Sequence, residues 1–222
     1  MGPPNYVQEH ILRTGKRTSA EVVILPYRPE HKSETRARIV ECARILFNRH
    51  GYDSVTIDMV MQAAKLTRGG FYHHFRNKEE LFAAAVGSFL GGRGALWRAQ
   101  AGIDPREPLR EDAANMLRSY LSEEHLGDLD GQCPMIALPS DVTRGAPQVR
   151  EAYQHLLEAM VSLYHRALPG SVADRWTTAL ALAATSVGGM VLARTLPDSQ
   201  LAGEVRAAAL AKALEMLAPS GG

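Results

Sequence analysis

Aromatic side chains are scarce in this 222-residue chain, at 6%, and no period-2 run of β-branched residues is present. A sheet-built domain is therefore excluded. Cysteine is scarcer still: Cys42 and Cys133 stand far apart, too few for a disulfide framework. No HExxH, CxxC, glycine-rich phosphate loop or nucleophile elbow occurs, so neither an enzyme nor a cofactor is expected. Glu123-Glu124-His125 holds an acid and a base, but in a stretch that reads as polar and loop-facing. Residues 1–33 contain no long apolar region of the secretory kind, and the expected location is a reducing cytoplasm. The longest uncharged run, residues 176–193, is bounded by Arg175 and Arg194. It is Ala, Thr, Ser and Gly as much as Leu and Val, which suits a buried helix better than a membrane span.

What the chain has in quantity is helix-forming material. Hydrophobic residues make up 45%, enough to fill a core, and Ala, Leu, Arg and Glu dominate. The expected fold class is all-α. The net charge of +1 is uninformative, but its distribution is not. Residues 1–84 carry 13 Lys and Arg against 9 Asp and Glu, and the remainder 12 against 15. The basic excess lies at the front, a modest pointer toward an anionic partner there.

Residues 1–33 form a separate zone of prolines and basic residues, for which two readings stay open: a flexible tail, or a basic arm reaching DNA phosphates or a minor groove. Val22-Val23-Ile24-Leu25 is apolar enough to dock on the body. Ser33 is the expected cap of a first helix that carries Ile39, Ala43, Leu46 and Phe47 inward and stops at Gly51. Thr56 opens a second helix to Ala64, residues 65–66 form a turn, and Thr67 caps a third to His74. Asn77, with Glu80 three residues on, has the form of a capping box for a fourth helix that ends at Gly91, Gly92 and Gly94. Further helices are expected near 107–124, 133–143, 147–167, 171–195 and 199–217.

Residues 56–74 thus fit a helix-turn-helix, in which a second short helix presents a polar face to a major groove. Phe71 and Phe75, spaced i, i+4, anchor that helix inward, leaving Arg68, Tyr72, His73 and His74 outward. Gly69 and Gly70 let the backbone approach DNA closely, and Lys78 adds charge beside free N–H groups at the next helix start. Adjacent histidines point about 100° apart on a helix, and no third ligand completes a metal site, so none is assigned.

The string Thr56-Ile57-Asp58-Met59-Val60, then Ala63-Ala64, then Leu66 through Leu81 (Leu-Thr-Arg-Gly-Gly-Phe-Tyr-His-His-Phe-Arg-Asn-Lys-Glu-Glu-Leu) closely resembles the DNA-binding signature of the tetracycline-repressor (TetR) family. The resemblance is strong over residues 34–82 and rests on length and helical layout beyond. It implies an extension (1–33), a helix-turn-helix domain (34–82) and a ligand-binding and dimerisation domain (83–222). It also implies that Thr56, Thr67, Arg68, Gly70, Tyr72, His73 and Lys78 line operator DNA. Lys65 departs from the family's usual glycine. Either the turn differs here, or Lys65 offsets the strain by contacting a phosphate.

The resemblance further implies a homodimer through the last two long helices, where Ala179, Ala183, Ala184, Gly188, Gly189, Ala207, Ala208 and Ala211 allow close packing. It implies a pocket between the middle helices for a small-molecule effector of apolar or aromatic kind. Candidate walls are Trp97, Leu117, Tyr120, Leu121, Met135, Ile136, Tyr153, Leu156, Leu157, Met160 and Trp176. For Cys133, at a helix start, two readings stay open: a thiol whose pKa the helix dipole lowers and which contributes to a thiol-based switch, or a small buried hydrophobe. The implied function is a transcriptional repressor released by its effector; the alternative is a helical small-molecule binder that does not touch DNA.

Overall fold

The computed structural model describes residues 29–218, which form twelve helices and, among the described residues, no strand. The two readings of residues 1–33 and the docking of Val22 to Leu25 fall on residues outside this range, save for its last five.

The first helix, α1 (Pro29–Ser54), begins before the expected cap. Proline suits a first helical position because its missing N–H would have no partner there, so Ser33 lies inside the helix. Gly51, at φ 75° and ψ 167°, interrupts α1 as expected. α2 (Ile57–Ala63) is capped by Thr56, whose Oγ1 accepts from the Met59 N–H at 3.1 Å. α3 (Arg68–Phe71) follows Thr67, which holds the cap position without a side-chain bond. α4 (Lys78–Ser88) starts at Asn77, whose Oδ1 accepts from the Glu80 N–H at 2.8 Å. The reciprocal bond of a capping box is displaced: the Glu80 carboxylate accepts from Arg76 N–H instead, at 2.8 Å. Phe47, Phe71, Phe75 and Phe82 are buried between these four helices, with Phe47 edge-on to Phe82 at 5.0 Å.

The body comprises α5 (Arg93–Gln100), α6 (Arg110–Tyr120), α7 (Glu123–Gly127), α8 (Pro134–Ala137), α9 (Pro139–Arg144), α10 (Pro147–Ala167), α11 (Val172–Thr195) and α12 (Ser199–Leu217). The three long helices match the sequence pattern closely, with Ser171 and Asp198 as caps. Two expected helices are corrected. The span 107–124 divides at Leu121, after which Ser122 Oγ accepts from His125 N–H at 3.0 Å and starts α7. The span 133–143 divides at Leu138, because Pro139 offers no N–H and crowds the residue before it. α5 was masked in the pattern by the glycines around it.

α4 lies along α10, and α1 touches α8 and α9, so the helix-turn-helix unit is seated on the body. α11 is long and apolar enough to cross a membrane by length and composition. Its inner side, with Ala179, Leu182, Ala183 and Met190, is buried in the body core. Gly189 lets α12 come close, since a Cβ there would meet the Ala209 Cβ at 2.7 Å. Ala179, Ala183 and Gly189 therefore pack α11 within its own chain, whereas Ala184, Ala207, Ala208 and Ala211 are exposed.

Candidate nucleic-acid interface and internal cavity

The turn between α2 and α3 closes through two backbone bonds, from Leu66 N–H to Met61 O at 2.8 Å and from Lys65 N–H to Gln62 O at 3.0 Å. These are the paired bonds of a Schellman helix end, which requires a left-handed residue. Lys65 supplies it at φ 56°, the one positive-φ residue other than glycine among those described. The turn is thus of the ordinary form, and a lysine occupies a conformation that costs a side-chain-bearing residue about 1 kcal/mol.

Phe71 and Phe75 are buried and hold α3 on α2 and α1. Tyr72 is 59% exposed, and Lys65, Thr67, Arg68, Gly69 and His73 are exposed beside it. Nothing lies within 4 Å of where a Gly69 Cβ would stand, whereas Gly70 faces Met61 at 3.6 Å. Three candidates are less free than the pattern suggested. Arg68 Nη1 pairs with Asp58 Oδ2 at 2.6 Å on the surface. His74 is half-buried, and desolvation lowers its pKa, with Lys32 and His73 adding to the effect. The Lys78 ammonium lies 4.0 Å over the Tyr52 ring, and desolvation lowers its pKa. Thr56 is exposed, but its hydroxyl already caps α2.

The body holds a cavity of about 390 Å³ between α4, α5, α6, α8 and α10. Of the candidate wall residues, Tyr120, Cys133, Met135, Leu156 and Met160 line it, joined by Phe89, Met116 and Leu163. Trp97 instead faces adjoining crevices. Leu117, Leu121 and Ile136 are buried core and do not reach the wall. Tyr153 and Leu157 are partly buried against that core, the Tyr153 hydroxyl donating to Met135 O at 3.3 Å. Trp176 is 47% exposed and meets only the edge of His165 among aromatic neighbours. Leu90, Pro105, Ala159 and Ser162 also line the cavity, together with Arg98 and Arg166; no spacing signal pointed to either arginine.

For Cys133 the geometry favours the buried-hydrophobe reading over the switch, and the expectation for His125 is overturned. The Cys133 thiol is not activated: it is buried, and desolvation raises its pKa to about 11. α8 is a single turn, too short for its dipole to outweigh that burial. His125 is not loop-facing: it is 1% exposed, and its ring lies 4.2 Å from that of Trp97. Cys133 N–H donates to His125 Nε2 at 3.3 Å, so Nδ1 carries the proton and donates to Tyr120 O at 2.8 Å. Desolvation lowers the pKa of His125 to about 4. The imidazole thereby fixes the two cavity residues that flank it.

The segment leading into Cys133 is also tied to α1. Asn48 Nδ2 donates to Gln132 O at 2.8 Å, Arg44 donates to Asp130 O, and Arg49 pairs with the Asp130 carboxylate. Arg44 is 3% exposed and also meets Glu41 at 2.6 Å.

These features define a two-part helical protein, a helix-turn-helix unit with a solvent-facing second helix, fastened to a body with an internal cavity. Residues 39–85 match the family described as bacterial regulatory proteins, tetR family. The chain is 43% identical to the Transposon Tn10 TetC protein of Escherichia coli over 58 residues, 26% of this chain and 29% of that one. It is 33% identical to the HTH-type transcriptional regulator AcrR of Shigella flexneri over 98 residues, 43% of this chain and 46% of that one. The chain thus matches less than half the length of these curated relatives. The likeness to solved structures runs further. E. coli NemR in its reduced form has a TM-score of 0.68 at 19% identity, covering 85% of this chain and all of that one. A SmeT–triclosan complex has a TM-score of 0.59 at 26% identity, covering 82% and 90%.

Proposed function

We propose that this protein is a sequence-specific DNA-binding transcriptional regulator, a repressor released by a small molecule. The observation that carries this reading is the exposed outer face of α3 behind a Schellman turn, in a segment matching the tetR family. Tyr72, His73 and Thr67 offer donors to phosphates or base edges, and Lys65 offers charge beside them. Arg68 is held near the same face by Asp58 and is available once a phosphate or guanine competes for it. An exposed ion pair of this kind is worth at most about 1 kcal/mol.

One recognition helix reads only a few base pairs, so two copies are required for specificity. Val172, Trp176, Leu180 and Leu192 on α11 and Leu201 on α12 are exposed apolar side chains, and the exposed alanines beside them permit close approach. We assign this surface to a homodimer. The cavity is assigned to the effector; a structural neighbour, SmeT, has been solved with triclosan. Effector coupling of about 1–3 kcal/mol changes occupancy 5- to 150-fold.

The test is selection of bound genomic fragments with the full chain, followed by gel shift on the recovered sites. Specific fragments that lose affinity in Tyr72→Phe and Arg68→Ala, at unchanged helicity and melting temperature, support the reading. Recovery of no specific fragment favours a helical small-molecule binder that does not act on DNA.

A further inference from the structure

The charge of the cavity wall is one-sided. Arg98 on α5 and Arg166 on α10 both line it, and no aspartate or glutamate does. Some arginines that lie against the body meet carboxylates, Arg44 with Glu41, Arg49 with Asp130 and Arg93 with Asp128, whereas others, Arg110, Arg194 and Arg206, donate to main-chain oxygens away from the cavity. Arg98 and Arg166 have no acidic partner among the described residues. Arg98 Nη2 donates to Leu90 O at 2.7 Å. Arg166 donates to Pro105 O and to Ser162 Oγ, each at 2.6 Å. A guanidinium has five N–H donors, so these bonds leave most of them unspent. Burial lowers the Arg98 pKa with nothing acidic to oppose it. Arg98 is half-buried and Arg166 is exposed at the rim of the same cavity, so an anion bound there would gain guanidinium donors from two helices.

The rest of the wall is apolar and adaptable. Met116, Met135 and Met160, with Leu156, Leu163 and Phe89, form it, and thioether side chains reshape around different hydrocarbon bodies. The Tyr120 hydroxyl sits beside the Cys133 thiol, a weak acceptor that leaves the O–H available to a ligand oxygen. The volume of about 390 Å³ falls in the range of small-molecule sites, about 300–1,000 Å³.

We propose that this cavity takes a small amphipathic anion: a medium-length apolar chain or ring bearing one carboxylate-type head, held by Arg98 and Arg166. A carboxylate matches the planar fork of a guanidinium in a way that a neutral or cationic head does not. The inference rests on the reading of the cavity as the effector site and adds the charge of its occupant.

The experiment titrates octanoate, octan-1-ol and octyltrimethylammonium into the full-length protein by calorimetry. These three share a chain and differ in the head. Octanoate binding about tenfold or more tighter than octanol, with no detectable cation binding, supports the proposal. Arg98→Met and Arg166→Met then remove the preference for octanoate while leaving octanol affinity unchanged, and Arg98→Lys retains part of it. Equal or tighter binding of octanol or the cation, blocked by the cavity-filling Ala159→Phe, overturns the anion assignment and leaves the cavity reading standing. Absence of binding by all three, or octanoate binding that survives Ala159→Phe, overturns both.

Discussion

Asn48 on α1 donates its carboxamide N–H to the main-chain oxygen of Gln132 at 2.8 Å, with both residues buried. One residue later the same segment enters the cavity wall as Cys133. Arg194, near the end of α11, donates to the Asn48 carbonyl at 2.8 Å. A single residue of the helix-turn-helix unit is therefore bonded both to the residue preceding the cavity wall and to the long helix assigned to the dimer.

Asn48→Ala leaves the Gln132 carbonyl buried without its donor, which costs about 1–3 kcal/mol. A urea denaturation midpoint that falls accordingly is the expected result. The variant should also respond less to the effector, because a contact between cavity wall and α1 is gone. An unchanged midpoint with full effector response would show that this bond does not join the two parts.

Lys65 separates strain from charge. Lys65→Gly relieves a left-handed conformation worth about 1 kcal/mol, while glycine's freedom in the unfolded chain returns about 0.4–1 kcal/mol of that. Its stability should equal or slightly exceed that of the parent, whereas Lys65→Ala keeps the strain and gains nothing. If the ammonium meets a phosphate, both variants lower the slope of log affinity against log salt by about one. A slope unchanged in both would leave the lysine without a role at the DNA.

Much of this architecture was legible in the chain because its signals are local. The Thr56 and Asn77 caps, the Gly51 stop, the Phe71 and Phe75 anchors and the three long helices each depend on residues within a few positions of one another. The left-handed turn at Lys65 was visible only as a departure from the glycine usual in the family it resembles, and the backbone shows that the turn persists without it. The cavity wall was only partly legible. Tyr120, Cys133, Met135, Leu156 and Met160 were found among apolar residues on the right helices, but Leu117 and Ile136 have the same chemistry and face the core. Arg98 and Arg166 gave no signal, since an arginine on a helix is ordinarily solvated, and their sharing one cavity depends on where the fold places α5 and α10. His125 misled for a similar reason: two glutamates precede it, yet α7 turns its ring inward between Trp97 and Tyr120.

Cys133 should be chemically silent in the folded protein. With the thiol raised to about 11 by burial, only about one molecule in a thousand is thiolate at pH 8, and that thiolate is enclosed. Iodoacetamide with mass-spectrometric readout should label the half-buried Cys42 first and reach Cys133 only in denaturant. Rapid native labelling of Cys133 would mean that the wall opens on the timescale of the reagent.

The buried imidazole sets the acid limit of the fold. His125 is neutral when folded, with its pKa lowered to about 4, chiefly by desolvation, against 6.5 for the free side chain. Below pH 6.5 the unfolded chain binds a proton at this position that the folded chain refuses. Stability therefore falls as pH drops from 6.5 to about 4 and flattens below, by about 3 kcal/mol in all if the shift is fully expressed. His74 is lowered too but is less buried, so its share in the same window is smaller. The carboxylates whose pKa is lowered, Glu41, Asp128 and Asp130, weaken the fold only at lower pH, as each becomes protonated. His125→Gln carries no titrating group, and it should lose most of the slope of unfolding free energy against pH between 4 and 6.5, whatever its absolute stability. A variant slope equal to that of the parent would place the acid sensitivity elsewhere and show that the ring between Tyr120 and Cys133 accepts a proton without leaving its seat.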